Sequence, residues 1–478
     1  MSRKPSRESV TTIGEDGSRP FLHPADVRGP WTRWRRFVAL VLIGLYVSLP
    51  WIPVGGRPAV FLDVMERRFH LLGFTFTAQD FWLSFFLITG VAFILFYATA
   101  LVGRLWCGWA CPQTVFLEHV YRRLERWLEG DATARRKLDA APWTPAKAAR
   151  RASKHILFVL VSILIAHLFL AYFVSIPKLH GWILQGPAAS PAAFLFVLIT
   201  TAIIYFNFAW FREQLCLILC PYGRLQSALI DEHSVIIGYD EKRGEPRGKP
   251  SNPDAGDCID CSRCVQVCPT GIDIRHGLQM ECIACANCID ACDSVMEQLG
   301  RPRGLIRHDS QTALEGGKTR FWRPRIRVYT VLLLLGIAVS ATMLGRVDFY
   351  HSSVTRMTGA PYFITEETIR NHYMVRLINK RDTPAEFRFA VEDAPTQLRI
   401  SGASEVIRLD PMEERETPVI AHLDRTGWTG NFEFTLRTEE IASGKSQRTQ
   451  LRFLGPDPRL LKPTAADTAA ESDADREK

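Results

Sequence analysis

The chain has 478 residues, twelve cysteines and a formal net charge of +8, and 47% of its residues are hydrophobic. This length is too great for one ordinary domain. The hydrophobic residues gather in long runs, which excludes a wholly soluble protein. The basic residues flank those runs, as is typical of contact with lipid headgroups, so the positive charge does not indicate a nucleic-acid partner.

Five apolar segments are long enough to cross a bilayer. In chain order they are Phe37–Trp51, Phe81–Val102, Ile156–Ile176, Phe194–Phe211 and Val328–Leu344. Each is close to the roughly 20 residues that span the hydrocarbon region, and none contains a charged residue. A buried core helix explains any one of them but not all five. The sequence therefore predicts a multi-pass membrane protein with an α-helical bundle of five spans.

Lysine and arginine alternate between the loops. The loop from Gly103 to Lys154 holds eleven of them, whereas residues 177–192 hold only Lys178. Further basic residues precede the first and fifth spans: Arg28, Arg33, Arg35, Arg36, Arg323, Arg325 and Arg327. By the positive-inside rule, the amino terminus lies in the cytoplasm and the carboxyl-terminal part lies in the periplasm, so the inner membrane is the predicted location.

Eight cysteines form two identical sets of the pattern C-x2-C-x2-C-x3-C, offset by 24 residues. This spacing is typical of a bacterial ferredoxin with two [4Fe–4S] clusters, in which the fourth cysteine of each set binds the other cluster. The spacing differs from the paired dithiols of a zinc site. The predicted ligands of the first cluster are Cys258, Cys261, Cys264 and Cys292. Those of the second cluster are Cys282, Cys285, Cys288 and Cys268.

The carboxyl-terminal part alternates apolar and polar residues. The clearest runs are His372–Lys380, Glu386–Glu392 and Phe432–Thr438, and four shorter runs lie between or after them. About seven short strands predict an immunoglobulin-like sandwich. The predicted parts of the chain are a cytoplasmic amino-terminal segment 1–35, a four-span membrane domain 36–225, an inserted ferredoxin-like domain 226–325 with its core at 250–300, a fifth span 326–346, an all-β sandwich 359–458 and a disordered tail 459–478.

Two C-x3-C-P motifs, Cys107–Pro112 and Cys216–Pro221, follow the second and fourth spans. Cysteines at i and i+4 share one side of a helical turn, and proline ends or bends the helix. The motifs resemble a degenerate repeat of two hairpins, which would bring four thiols toward a pseudo-twofold axis. These thiols would bind Cu(I), cycle between dithiol and disulfide, or pack as inert buried residues. They are Cys107, Cys111, Cys216 and Cys220.

This order of spans, motifs and domains resembles the FixG/CcoG family of cytochrome c oxidase accessory proteins. Leu62–Leu83, with Gln79, Asp80 and Phe81, resembles the first external loop of that family, and Cys282–Met296 resembles its second cluster loop. The resemblance implies a role in assembling the cbb-type oxidase, taken within the family as reduction of Cu(II) to Cu(I) before copper insertion. It implies two [4Fe–4S] clusters as an electron relay, with the four C-x3-C-P cysteines as copper or redox thiols.

The partners expected from this resemblance are membrane lipid, oxidase assembly factors or copper carriers, an unidentified electron donor and a second copy of the chain. An oxidoreductase activity is expected on the same basis. Two alternatives stay open. One is a NapH-like quinol dehydrogenase, because it shares the four spans and the double cluster. The other is a non-redox assembly scaffold whose clusters stabilise a small domain.

Overall fold

The computed structural model describes residues 21–460 except 55, 66, 77–79, 81, 346–347, 382 and 403–405. The first 20 residues, Gln79 and Phe81 of the predicted family-like loop, and residues 461–478 of the predicted disordered tail lie outside the described residues. The chain divides into two compact units, Met1–Gly345 and Arg346–Lys478.

The α-helices lie in the first unit. They are α1 (Pro30–Ser48), α2 (Trp82–Val102), α3 (Leu105–Trp109), α4 (Pro112–Phe116), α5 (Arg122–Glu129), α6 (Ala132–Ala140), α7 (Pro145–Leu170), α8 (Ile176–Gln185), α9 (Pro191–Phe206), α10 (Pro221–Leu229), α11 (Glu241–Gly244), α12 (Arg263–Gln266), α13 (Asn287–Gln298), α14 (Gln311–Leu314) and α15 (Pro324–Leu344). Single π-helical turns cover Leu117–Tyr121, Asn207–Phe211 and Leu215–Leu219.

Among the described residues, four helices are long and apolar enough to cross a membrane. They are α2, α7, α15 and α9 with its π-helical extension to Phe211. They correspond to the second to fifth predicted spans, and the chain is a membrane protein. The first predicted span falls in α1, which is not among the four, so the count of five is not confirmed. The first turns of α1 carry Arg33, Arg35 and Arg36, which shorten its apolar part.

The long helices share one face with the cysteine-rich segment. Thr32 at the start of α1 donates to the Asp290 carboxylate of α13 (2.6 Å). Arg323, just before α15, bonds the Ala100 carbonyl of α2 (2.6 Å) and the Asp231 carboxylate (2.7 Å). The beginnings of α1 and α15 and the end of α2 therefore meet the same domain.

The cysteine-rich segment folds around a two-stranded antiparallel sheet. Strand β6 (Val235–Tyr239) pairs with β7 (Ile306–Ser310), and these strands pack against the cysteine loops and α13. The buried core includes Ile237, Ile274 and Met296. This small domain precedes α15, and both belong to the same compact unit.

The loop between α1 and α2 contains two small sheets that the sequence did not predict. Their strands are β1 (Pro53–Val54), β2 (Arg57–Pro58), β3 (Val60–Asp63), β4 (Arg68–Leu71) and β5 (Phe74–Phe76). The strands are too short to show alternation, and hydrogen bonds such as Leu62 N–H to the Tyr172 carbonyl (2.7 Å) attach the loop to the end of α7.

The second unit consists of two sheets. Their strands are β8 (Tyr350–Arg356), β9 (Phe363–Ile364), β10 (Thr368–Asn379), β11 (Ala385–Glu392), β12 (Arg399–Ser401), β13 (Ile407–Leu409), β14 (Glu414–Asp424), β15 (Phe432–Glu440) and β16 (Ser446–Phe453). One sheet has the order β12-β14-β10-β8, with β9 also on β10, and the other has the order β13-β11-β15-β16. All seven predicted strands are present.

Two strands of this unit, β8 and β9, were not predicted from the sequence. Strand β8 pairs with β10 over seven residues and lies before the predicted boundary at 359, so that boundary is too late. The run YHSSVTR hides the alternation because polar side chains occupy inward positions. Ser352, for example, is buried and lies 3.0 Å from the Thr438 hydroxyl.

Candidate redox site

The two cysteine loops have the same backbone conformation at the offset of 24 residues. Asp260 and Ser262 have φ near +55° in the first loop, and Ala284 and Ala286 have φ of +53° and +62° at the equivalent positions of the second. Such residues cost about 1–3 kcal/mol each unless the surroundings impose the conformation. The repetition of this strained conformation indicates that both loops have a binding function.

Each loop faces its own cavity. Four cysteines line what we call the first cavity: Cys258, Cys261, Cys264 and Cys292. Four others line the second cavity, which Cys264 also touches: Cys268, Cys282, Cys285 and Cys288. The fourth cysteine of each set thus lies with the first three of the other, as crossed ligation requires. Burial, and then the neighbouring Cys264, raises the pKa of Cys292 to about 12.

The cavities suit clusters better than single ions. No three histidine, cysteine, aspartate or glutamate side chains among the described residues converge as ligands of one metal ion. A [4Fe–4S] cluster does not need that convergence, because each of four thiolates binds a different iron. Apolar walls, which include Ile237, Ile274 and Ile283 in the second cavity, would exclude water from the bound group.

Cys292, the last cysteine of the second set, is followed by Asp293, whereas generic bacterial ferredoxins have a proline at that position. Cys292 lies inside α13, where a following proline would remove a backbone donor and break the helix. The Asp293 carboxylate instead accepts a hydrogen bond from the Gly304 amide (2.8 Å) and ties α13 to the start of β7. The substitution therefore supports the position of Cys292.

The C-x3-C-P motifs form turns between short helices. Cys111 and Cys220 have extended backbones and directly precede Pro112 and Pro221, which begin α4 and α10. The prolines therefore start new helices, where their missing N–H has no cost. Cys107 lies in α3, and Cys216 lies in a π-helical turn.

The four motif cysteines, which we call the boundary cysteines, are neighbours. The Cys107 thiol lies 3.5 Å from the Gln226 side chain of α10, and Arg104 donates to the Gly223 carbonyl of the same helix. Burial, together with smaller contributions from Cys111 and Cys220, raises the pKa of Cys107 to about 11, although Gln226 and Arg104 oppose the rise. The pKa of Cys216 rises to about 12 for the same reasons. The two motifs therefore meet as the hairpin repeat predicted.

The first motif packs directly on the loop of the second cavity. The indole N–H of Trp109 donates to the Ala284 carbonyl (3.1 Å), and Arg104 donates to the Met280 carbonyl. A Cβ added to Gly108 would lie 3.0 Å from the Cys285 nitrogen and would clash with the Ile283 carbonyl oxygen. Only glycine permits this backbone approach, so the boundary cysteines and the second cavity are adjacent.

Buried ion pairs hold this arrangement together. Arg122 is 1% exposed, contacts Glu118 and Glu213 (3.1 Å), and donates to the carbonyl of Pro269, which follows Cys268. Burial alone would raise the pKa of Glu118, but Arg122 lowers it to about 2. Arg122 is therefore an exception to the general expectation that the basic residues face lipid headgroups.

A second group of ion pairs centres on Glu125. It contacts Arg212 just after the fourth apolar segment, Arg135 (3.3 Å), and Lys154 just before the third apolar segment (4.0 Å). Arg135 is fully buried, so it is another exception to the expectation that the basic residues face headgroups. These contacts bring the start of the third apolar segment and the end of the fourth to the same face as the cysteine loops.

Arg35 of α1 is another buried arginine that the sequence assigned only to topology. Its Nε donates to the Gly108 carbonyl (2.7 Å), and its guanidinium reaches the Asn287 side chain (3.4 Å). Burial raises the pKa of the Cys285 thiol, and Arg35 opposes that rise. Arg35 thus joins α1, the first C-x3-C-P motif and the second cavity, and nothing in its local sequence distinguishes it from neighbouring arginines.

Comparison with known families agrees with this geometry. Residues 211–311 match a family described as a 4Fe-4S dicluster domain, and residues 83–130, which include Cys107 and Cys111, match a 4Fe-4S binding domain. Residues 341–456 match the Ig-like fold at the carboxyl terminus of FixG. These matches, the cysteine-lined cavities and the apolar helices define the class: a membrane-bound iron–sulfur protein that transfers electrons.

Similar proteins specify the family. The chain is 35% identical to the nitrogen fixation protein FixG of Rhizobium meliloti, over 80% of this chain and 82% of FixG. It is 36% identical to protein RdxA of Cereibacter sphaeroides (78% and 82% covered) and 35% identical to RdxB of the same organism (91% and 96%). The chain belongs to the FixG family. A crystal structure of a FixG-related protein from Vibrio parahaemolyticus matches with 19% identity and a TM-score of 0.21, over 23% of this chain and 97% of that one.

Proposed function

We propose that this protein reduces Cu(II) to Cu(I) for the assembly of a cbb-type cytochrome oxidase. Cu(II) is the substrate and gains one electron, which an unidentified donor supplies. When bound at the two cavities by crossed ligation, the iron–sulfur clusters supply the one-electron chemistry. The boundary cysteines, as soft ligands, would favour the Cu(I) product.

The observation that carries the proposal is the contact between the boundary cysteines and the second cavity. Trp109 and Gly108 press the first C-x3-C-P motif against residues 283–285. A pair of packing cysteines elsewhere in the bundle would have no such neighbour. The arrangement supports a continuous group of redox residues from the ferredoxin domain to the membrane boundary.

We also propose that α1 is a fifth span and that the shared face is cytoplasmic. The start of α1 contacts α13, whereas Tyr46 near its end donates to the Ile165 carbonyl at the far end of α7 (3.2 Å). A helix whose start contacts the ferredoxin domain and whose end contacts the far end of α7 is placed to cross the same layer as α7. The eleven basic residues from Gly103 to Lys154 support the cytoplasmic assignment, which places the β unit in the periplasm.

The same chemistry suggests the partners of the protein. A copper carrier or an oxidase assembly factor would deliver and receive copper near the boundary cysteines, and the β unit is available for a periplasmic contact. We also propose that the protein forms a homodimer, without assigning the contact surface. Cross-linking of membranes followed by mass spectrometry would identify these partners.

The test is the double variant Cys111→Ser/Cys220→Ser. We expect the loss of Cu(II) reduction by chemically reduced protein, with about eight irons per chain retained. Cys268→Ser serves as the contrast because it should lose both iron and activity. Unchanged copper reduction in the double variant would contradict the proposal. Loss of about four irons would show instead that the boundary cysteines hold a cluster, as the family match of residues 83–130 suggests.

A quinol donor is the second candidate, and one pocket favours it. The pocket lies beside Cys282 at the end of α2, with mainly aliphatic walls that include Ile236, Leu278 and Met280, and Arg104 lines it. A quinol headgroup there would lie next to the second cavity. Reduction of the clusters by a soluble quinol analogue, and its loss in Leu278→Trp but not in Leu335→Trp, would support this function over a soluble donor.

A further inference from the structure

A pocket at the amino-terminal end of α1 is lined by three arginines. Its lining residues, which we call the arginine pocket, are Arg28, Gly29, Thr32, Arg33 and Arg36. No acidic side chain lines it, and its arginines form no ion pair with any carboxylate in the part of the chain that the structure describes. The buried Nε of Arg36 has no hydrogen-bond partner there. The pocket therefore has donors and positive charge available for an anion.

Two carboxylates lie close to the pocket, and neither forms an ion pair with its arginines. Asp290, which lies against Gly29 and Thr32, accepts hydrogen bonds from the Trp31 and Thr32 amides instead. Asp26 is occupied by Arg123 (3.7 Å) and Arg126 (2.5 Å), so it is not available to the pocket. Arg36 contributes only a minor part of the lowered pKa of the nearby His119. Burial, then Arg35, and to a smaller extent Arg123 and Arg36, lower the pKa of His119 to about 4.

The pocket lies at the level expected for lipid headgroups, which rests on the proposed assignment of α1 as a membrane span. Trp34, Phe37 and Leu40 of α1 are 62%, 58% and 67% exposed. An exposed tryptophan followed by exposed apolar residues is typical of the boundary between headgroups and acyl chains. A ligand in the pocket could therefore carry acyl chains along this apolar surface.

We propose that the arginine pocket binds the phosphodiester headgroup of an anionic phospholipid. Guanidinium groups match phosphate oxygens with paired donors, and three of them would compensate the headgroup charge. The zwitterionic headgroup of phosphatidylcholine lacks the net charge that such a site selects.

The bound lipid would contact the turn that holds the ferredoxin domain. Thr32 lines the pocket and also donates to Asp290 of α13 through its amide (2.7 Å) and its hydroxyl (2.6 Å). A Cβ added to Gly29 would clash with the same carboxylate. Lipid occupancy and the docking of α13 thus share one turn of α1, so anionic lipid stabilises the contact between the ferredoxin domain and the membrane helices.

The test titrates detergent-solubilised full-length protein with phosphatidylglycerol or phosphatidylcholine and counts retained lipids by native mass spectrometry. Arg33→Gln should weaken phosphatidylglycerol binding about fivefold, and the triple variant of Arg28, Arg33 and Arg36 about a hundredfold. Arg327→Gln is the matched control, since Arg327 lies three residues after the first proline of α15, as Arg33 does in α1. Its binding should be unchanged.

Three outcomes would overturn the proposal. Equal losses in Arg33→Gln and Arg327→Gln would indicate general attraction to a basic surface. Equal retention of both lipids would exclude selection by charge. If inorganic phosphate at the same concentration as phosphatidylglycerol prevented the retention of that lipid, the pocket would be a site for a soluble anion. Lipid counts do not depend on copper reduction, so the proposal stands or fails separately from the proposed activity.

Discussion

The two cavities have equivalent loops but different neighbours. The first cavity is bordered by Tyr239 and Arg275 of the ferredoxin domain itself, and Cys261 is exposed. The second cavity is enclosed by the membrane part of the unit, because Arg35 and Arg104 reach its cysteine loop. An internal repeat therefore provides two similar sites, whereas the surrounding structure puts only the second at a junction with the bundle.

This difference changes the charge around each cavity. Arg35 and Arg104 place positive charge near Cys285 and Cys282, which stabilises the reduced, more negative state of a bound cluster. The first cavity has Arg275, but its charge is balanced by Asp273 (2.6 Å) and Asp260. We expect these two arginines to raise the potential of the second site, against the effect of its apolar walls, above the value that the same buried site would have without them.

The largest expected effect comes from replacing the one cysteine that each cavity receives from the other set. Cys268→Ser should abolish mainly the cluster of the second cavity, and Cys292→Ser mainly that of the first, because each lies with the other set. Iron analysis and low-temperature EPR should show about half the iron and one remaining signal, different in the two variants. Full iron content in both variants would contradict crossed ligation.

The junction itself is tested by Gly108→Ala. The added methyl group meets backbone atoms of residues 283–285, so the contact must open, at a cost of about 1–3 kcal/mol. We expect both clusters to remain and copper reduction to fall at least about tenfold. The control is Gly336→Ala in α15, where no atom lies within 4 Å of an added Cβ. Similar activity in the two variants would show that the junction does not carry electrons.

A smaller effect is expected from the charges around the second cavity. Arg35→Gln should lower the potential of the second cluster by tens of millivolts, because the reduced state loses a nearby positive charge. Arg275→Gln should act on the first cluster, while Arg327→Gln should change neither. Redox titration followed by EPR measures each potential. Equal shifts of both clusters by Arg35→Gln would remove the proposed asymmetry.

The smallest effect at neutral pH concerns the buried carboxylates. Glu118 and Glu125 have pKa values lowered to about 2 because the effect of nearby arginines outweighs that of burial. Their stabilisation is present above the ordinary carboxyl pKa near 4.3 and is lost as the pH falls toward 2. The thermal midpoint, followed by circular dichroism, should fall in this window. Glu118→Gln should lower the midpoint at pH 7 and flatten the acid decline; an unchanged profile would contradict this assignment.

The sequence predicted those features that depend on local pattern. The second to fifth apolar segments and seven strands of the β unit are visible because local composition and alternation decide them. The cysteine loops are visible because their ligand spacing repeats without change. For the same reason, short strands such as β3 and polar strands such as β8 were missed.

The contacts that join the parts depend on residues distant in sequence. Arg35 meets Gly108 and Asn287, which are 73 and 252 residues away. Its burial could not be predicted from a basic segment that resembles any other cytoplasmic flank. Gly108 shows a weak signal, as a glycine between two motif cysteines, but its reason is a backbone approach that only the folded chain reveals.

Helix α13 has a consequence for how the protein matures. It carries Cys288 toward the second cavity and Cys292 toward the first, one helical turn apart. Neither site can be completed until this helix has formed. Iron–sulfur insertion is therefore expected to be all-or-none, with half-loaded protein appearing only as a product of mutation or oxidation.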